Sequence, residues 1–283
     1  MLSNSLKLKP LGIIAQSDNL DKTAEYWSKF LRFKIDSQQK DYIIMSNGNI
    51  VVYVKSRETP VTPTKSGYVG LEHLALNSTD IETDIRYGET NELNLNTNSG
   101  SAYFNPKVWG KGTYYINFRD NTGAIIEFCQ RLDQQGIDGS FFSGLSHIGI
   151  PSSCYENSIS FYKKLGFSLK NEVRNYNPTE GNIYCAIMEL DDTSLEIYEF
   201  VDFPEFYATS DSFFFGLLFN CDDLEATRDA IMDKFTLVTE IKQKNGVSFF
   251  QISAPDKVKI IITTLETSSN SIDDDIKKKP TGV

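Results

Sequence analysis

Short apolar runs and amphipathic segments alternate along the chain in an order that recurs. From residue 10 to 57, the run at 11–16 predicts a strand, and Leu20, Ala24, Trp27 and Leu31 then fall on one side of a helix that Ser17 or Asp18 is placed to cap. Three short runs follow at 33–37, 41–46 and 50–56, the last two parted by the turn residues Asn47 and Gly48. The order is βαβββ.

The same order returns at residues 70–132, after a Pro/Thr/Lys/Ser segment with linker composition. Here a strand at 71–76 precedes a short helix at 78–88, and strands at 112–120 and 124–130 turn through Asn121, Thr122 and Gly123. Between helix and hairpin lies a long polar and aromatic stretch at 91–112, which is expected to form a pocket rim. Residues 144–202 repeat the pattern most clearly: a strand at 145–150, a helix with Tyr155, Ile159, Tyr162 and Leu165 on one face and Gly166 as its C-terminal cap, then three strands, the last pair turned by Asp191 and Asp192. A fourth copy spans 212–265, with Asp222 or Asp223 capping its helix. Repetition at roughly 60 to 75 residues predicts an α+β chain of four βαβββ modules.

Composition adjusts this picture little. A chain of 283 residues, 40% hydrophobic, is long enough for two domains with ordinary cores, and no apolar run approaches the ~20 residues of a membrane helix. The N-terminus lacks the apolar core and cleavage site of a signal peptide, so a cytoplasmic protein is expected. Net charge of -10 without a basic, aromatic-interleaved patch disfavours nucleic acid as a partner. Cys129, Cys154, Cys185 and Cys221 form no C-x-x-C pair and are expected to be buried free thiols. The Ser/Asp/Lys-rich stretch at 267–283 has the composition of a disordered tail.

The chain has two histidines, His73 and His147, and they occupy matching places on the first strands of the second and third modules. A lone histidine in an apolar strand is ordinarily a core residue; two at matching repeat positions ask for another explanation. With four modules, and with His147-Ile-Gly-Ile, Phe161-Tyr-x-x-Leu-Gly-Phe and Leu195-Glu-Ile-Tyr-Glu-Phe in the third, the chain resembles the vicinal oxygen chelate superfamily. That superfamily includes glyoxalase I, methylmalonyl-CoA epimerase, extradiol dioxygenases and fosfomycin- and bleomycin-resistance proteins. The resemblance implies that two modules pair into a curved sheet whose cup holds a divalent metal ion, with ligands from the first and last strand of each module.

Overlaying the modules puts Gly12, His73, His147 and Gly216 at the first-strand position and Val51 or Val52, Glu127, Glu196 and Ile261 at the last-strand position. The implied metal ligands are His73, Glu127, His147 and Glu196, for Ni, Co, Zn, Mn or Fe. Such a set leaves two positions of an octahedron open. Pairing of the second module with the third is expected, because it completes one site and leaves the two modules without ligands to form a metal-free cup, whereas contiguous pairing would give two half-sites. Tyr103, Trp109, Tyr115 and Tyr198 are candidate pocket residues, with Phe104 also able to line the pocket and Tyr114 a weaker candidate than Tyr115, while Glu199 falls on the opposite strand face as a solvated charge.

The resemblance implies three functions. In a glyoxalase I-like lyase or isomerase, a small α-hydroxycarbonyl substrate of hemithioacetal type reacts through an enediolate, with Glu127 as base and Glu196 as ligand and possible second base. In an extradiol dioxygenase, His73, His147 and Glu127 form the Fe(II) triad for a catechol-type substrate. In a metal-free protein of the bleomycin-resistance type, the cup only binds a small molecule.

Overall fold

A computed structural model describes residues 6–60, 68–97, 99–133, 142–177, 181–202, 212–244 and 247–264. The expected tail at 267–283 and most of the linker lie outside the described residues. The first module consists of β1 (Lys9–Ser17), α1 (Leu20–Phe30), β2 (Lys34–Gln38), β3 (Tyr42–Asn47) and β4 (Ile50–Ser56). The second has β5 (His73–Asn77), α2 (Ile81–Thr90), β6 (Leu95–Asn96), β7 (Tyr103–Asn105), β8 (Thr113–Arg119) and β9 (Ile125–Arg131). The third comprises β10 (Leu145–Pro151), α3 (Tyr155–Leu165), β11 (Ser168–Asn177), β12 (Gly181–Leu190) and β13 (Thr193–Phe200). In the fourth are β14 (Phe214–Asn220), α4 (Leu224–Met232), β15 (Lys242–Lys244), β16 (Val247–Ser253) and β17 (Lys259–Thr263).

The cap of α1 is Asn19, not Ser17 or Asp18: the Asn19 side chain accepts from the Lys22 amide at 3.0 Å, while Ser17 Oγ turns back to accept from the Asn19 amide at 3.0 Å. Asp223 caps α4, and Gly166 ends α3 at φ +120°. The stretch at 91–112 contributes two short strands, β6 and β7, both paired with β8. In the fourth module the segment after α4 forms only the short β15 and an isolated bridge from Val238 to Ile252.

The strands form two sheets. One runs β15-β16-β17-β14-β1-β4-β3-β2, joining the first and fourth modules; the other runs β11-β12-β13-β10-β5-β9-β8-β6, joining the second and third. Each sheet is centred on an antiparallel pair of first strands, β1 with β14 and β5 with β10. Alternation along β9 and β13 sends Ile126, Phe128, Leu195 and Ile197 into the apolar core, each fully buried. The intervening residues face the concave side.

Specific polar contacts hold the two sheets together. Trp27 of α1 donates its indole N–H to Asp120 Oδ2 at 2.7 Å, and the same buried carboxylate accepts from Thr122 and Ala124 in the β8–β9 turn. The β3–β4 turn abuts the start of β10, where Asn47 and Asn49 accept the amides of Gly144 and Leu145 at 3.0 and 2.7 Å. Gly48 has φ +58°, and a Cβ there would lie 2.7 Å from Gly144 Cα, so turn geometry and close approach both require glycine.

Candidate metal centre

The centre lies where β5 and β10 meet. In parallel register, β9 sets Glu127 beside Ala75 of β5, and β13 sets Glu196 beside Gly149 of β10. Across the antiparallel seam His73 faces Gly149 and His147 faces Ala75. Each module thus places its histidine two residues before the strand position that neighbours its glutamate, and the seam turns both sets toward one point. The same registry in the outer sheet puts Tyr53, not Val51 or Val52, at the last-strand position of the first module, because Gly12 leads to Ile14, which neighbours Tyr53. Val52 is on the buried face, and the first and fourth modules present Gly12, Tyr53, Gly216 and Ile261 at the four positions.

The four side chains converge. His73 Nε2 lies 3.2 Å from His147 Nε2. Glu196 Oε2 is 3.3 Å from His147 Nε2 and 3.7 Å from His73 Nε2, and Glu127 Oε1 is 3.5 Å from His147 Nε2. His73, Glu127 and His147 are buried; Glu196 is partly exposed. Glu196 therefore lies near both imidazoles, while Glu127 lies near that of His147. The carboxylate that completes a compact three-donor group with the two histidines is Glu196, where the dioxygenase triad above used Glu127.

Neighbouring groups orient the rings. Glu72 Oε2 lies 3.2 Å from His73 Nδ1 and accepts a hydrogen bond from the Tyr198 hydroxyl, while Ser146 Oγ lies 3.2 Å from His147 Nδ1. With both Nδ1 atoms engaged, the two Nε2 atoms are the ones presented to the centre. Gly149 makes room for this: a Cβ there would sit 1.9 Å from His73 Cε1, so the imidazole occupies the space a side chain would take.

Electrostatics split the two carboxylates. Burial tends to raise Glu196, but the charge and hydrogen bond of His147, with His73 behind it, outweigh that and bring it down to about 2. Burial dominates at Glu127 and leaves it raised despite both histidines. Burial opposes charge on His147 and His73, yet carboxylates win at both: Glu196 and Glu127 raise His147, and Glu72 and Glu127 raise His73. The carboxylates thus favour positive charge at the imidazoles, and a metal ion bound there would take the place of those protons.

The donor set fits a divalent ion. Bonds of about 2.0–2.2 Å put adjacent donors on one ion about 3 Å apart, close to the separations of 3.2–3.7 Å found here. Two imidazoles and two carboxylates also neutralise a 2+ charge, and oxygen with nitrogen donors suits first-row ions.

Among the aromatic residues, Trp109 and Tyr198 reach the centre. The Trp109 ring is 5.6 Å from that of His147, carries the Arg131 guanidinium at 3.7 Å and is almost wholly buried, with the backbone at φ +60°. Tyr198 lies 6.3 Å from the His73 ring. Tyr103 and Tyr115 stack on each other at 5.5 Å farther along the concave face, beside Cys129. Phe104 and Tyr114 pair on the other side, both exposed. Glu199 is not simply a solvated charge: its carboxylate accepts the Tyr155 amide at 2.7 Å, capping α3 where Cys154 makes no side-chain bond.

Three further residues adjoin the centre, Cys129, Cys185 and Glu72. Cys129 follows Glu127 by two residues, so strand alternation alone places it on the same face. Cys185 donates to Glu196 Oε1 at 3.6 Å from the adjacent strand, which only the β12–β13 register reveals. Glu72 adjoins His73 and, on a regular strand, would point away; it reaches Nδ1 because β5 begins only at His73.

No protein-family model matches the chain, and no curated protein matches it in sequence. Solved structures do. Glyoxalase I from Zea mays is 16% identical with a TM-score of 0.68 over 95% of each chain. A variant of that enzyme reaches 0.70 at 15% identity, again over 95% of each chain. A candidate dioxygenase from Bacillus subtilis subsp. subtilis str. 168 is 12% identical with a TM-score of 0.63, covering 92% of this chain and 87% of its own. This likeness establishes the fold: an α+β chain of two sheets in a two-domain, glyoxalase-like arrangement.

Proposed function

We propose that the chain is a metal-dependent lyase or isomerase of glyoxalase I type, acting on a small α-hydroxycarbonyl substrate such as a hemithioacetal. The observation that carries this reading is the convergence of His73, Glu127, His147 and Glu196 at the β5–β10 seam. These four residues would hold the ion. When bound, it supplies a positive charge that polarises substrate oxygens and lowers the cost of removing the neighbouring carbon-bound proton.

The residues divide the remaining work by position. Glu196, touching both imidazoles, is the fixed ligand. Of the two imidazoles Glu127 lies near His147, at 3.5 Å, and can release that contact to take a proton from one substrate carbon and return it to the next. Tyr198 and Glu72 keep the His73 ring in place, and Trp109 with Arg131 covers the His147 side, limiting water.

The compact His73–His147–Glu196 group also supports a second reading, an Fe(II) extradiol dioxygenase with Glu127 left as base. The test of the first reading is metal content of the purified protein beside His73→Ala and His147→Ala, then proton exchange into a hemithioacetal with Ni, Co or Zn. Equal metal in all three proteins would sink the site. Bound metal with no exchange, but oxygen uptake with Fe(II) and a catechol, would replace the lyase by the dioxygenase.

A further inference from the structure

The centre has a fifth donor. We propose that Cys129 is a metal ligand in its own right, and that Glu127, Cys129 and His147 form a second seat, for soft divalent ions, alternative to the His73–His147–Glu196 seat. The inference rests on the reading of this cup as a metal site and adds which ions it discriminates.

Geometry carries it. Glu127 and Cys129 stand two apart on β9 and face the same way, and His147 leans in from β10. One donor atom from each lies within 4.8 Å of the others, and all three residues are buried. Thr113 Oγ1, 3.2 Å from Cys129 Sγ, ties the sulfur to β8. Bonds of about 2.3 Å to sulfur and 2.0–2.1 Å to nitrogen bring these donors onto one ion with side-chain movements of about 1 Å or less. Both seats use His147, so one ion chooses between them.

Donor chemistry sets the choice. The first seat offers nitrogen and carboxylate oxygen, suited to Mn, Fe, Co or Ni; the second adds a thiolate, which favours Zn and above all Cd. Binding there replaces the proton on Cys129 Sγ, which leaves to solvent as the metal–sulfur bond forms. It also engages Glu127, the proposed base. A soft ion should therefore bind and leave the reaction without its proton acceptor.

Cd(II) is the probe. Because Cys154 is exposed, every sample carries Cys154→Ser. Titration of this parent should give one equivalent of thiolate-to-Cd charge-transfer absorbance. The band should persist when Cys185→Ser is added and vanish with Cys129→Ser, along with about a tenfold or greater loss of Cd affinity. If Cys129→Ser does not fold, the ¹¹³Cd resonance of the parent decides, since sulfur ligation moves it far downfield of a nitrogen–oxygen site. Cd bound without the band or the downfield resonance overturns this inference alone, as does a band that follows Cys185. Failure of both Cd and Ni to bind overturns it together with the proposed metal site.

Discussion

Gly149 offers the sharpest test of how the backbone builds the centre. Its carbonyl and amide lie in the β5–β10 seam opposite His73, and the His73 imidazole fills the place of its missing side chain. In Gly149→Ala the new Cβ would meet Cε1, Nδ1 and Nε2 of that ring at 1.9, 2.2 and 2.3 Å. Ordinary carbon contact begins at about 3.5 Å, so the ring must retreat by about 1.5 Å or leave its rotamer. The backbone at Gly149 is not in the left-handed region, and alanine is otherwise compatible with the strand. The fold should survive while the donor set loses its geometry, because His73 Nε2 would move away from His147 Nε2 and from Glu196. Displacing one of four donors should lower metal affinity by about 10- to 100-fold or more, or about 1.4–2.7 kcal/mol. Competition against a chromophoric chelator with Ni or Zn measures this directly, with circular dichroism as the check on folding. Unchanged affinity in a folded Gly149→Ala protein would refute the claim that His73 holds the ion from this position.

Two further outcomes concern stability. Glu199→Ala removes the acceptor of the Tyr155 amide and a negative charge at the start of α3, so chemical denaturation should show a loss of about 1 kcal/mol. Asp84, buried on α2, is raised by burial to about 6, the Ser78 hydroxyl offsetting only part of the cost. A carboxyl raised in the folded state stays protonated there at a pH where the unfolded chain has ionised. Its contribution is therefore favourable below about pH 4 and is lost as pH rises toward and past 6. Asp84→Asn should flatten that slope and stabilise the protein at neutral pH by about 2–3 kcal/mol, measured as the difference between urea unfolding curves at pH 4.5 and 7.5.

Much of the fold is local information repeated. The period-2 and period-3.6 patterns of Leu145–Ile150 and Tyr155–Leu165 recur in each module, so element type and order were legible from the chain. The details that escaped were those decided by competing neighbours. Asn19 displaced Ser17 and Asp18 as a cap because Ser17 was already bonded to Thr23. Glu199 found an amide that Cys154 left unmet, and Tyr53 rather than Val51 or Val52 occupied the last-strand position because the parallel register of β1 with β4 fixes that neighbour.

The sequence by itself determined which residues can bear the chemistry: the only two histidines, at matching strand starts, and a glutamate on each module's last strand. Alternation determined that each glutamate points away from its core-facing neighbours, Ile126 and Phe128 or Leu195 and Ile197. Only the tertiary structure decided that the second module lies against the third, that Glu196 rather than Glu127 touches both imidazoles, and that Cys129 joins them. Those facts depend on strand register across a seam between residues some 74 apart in sequence. Register is set by the packing of both faces of the sheet at once, with Gly149 yielding its space to His73, and no local pattern records it.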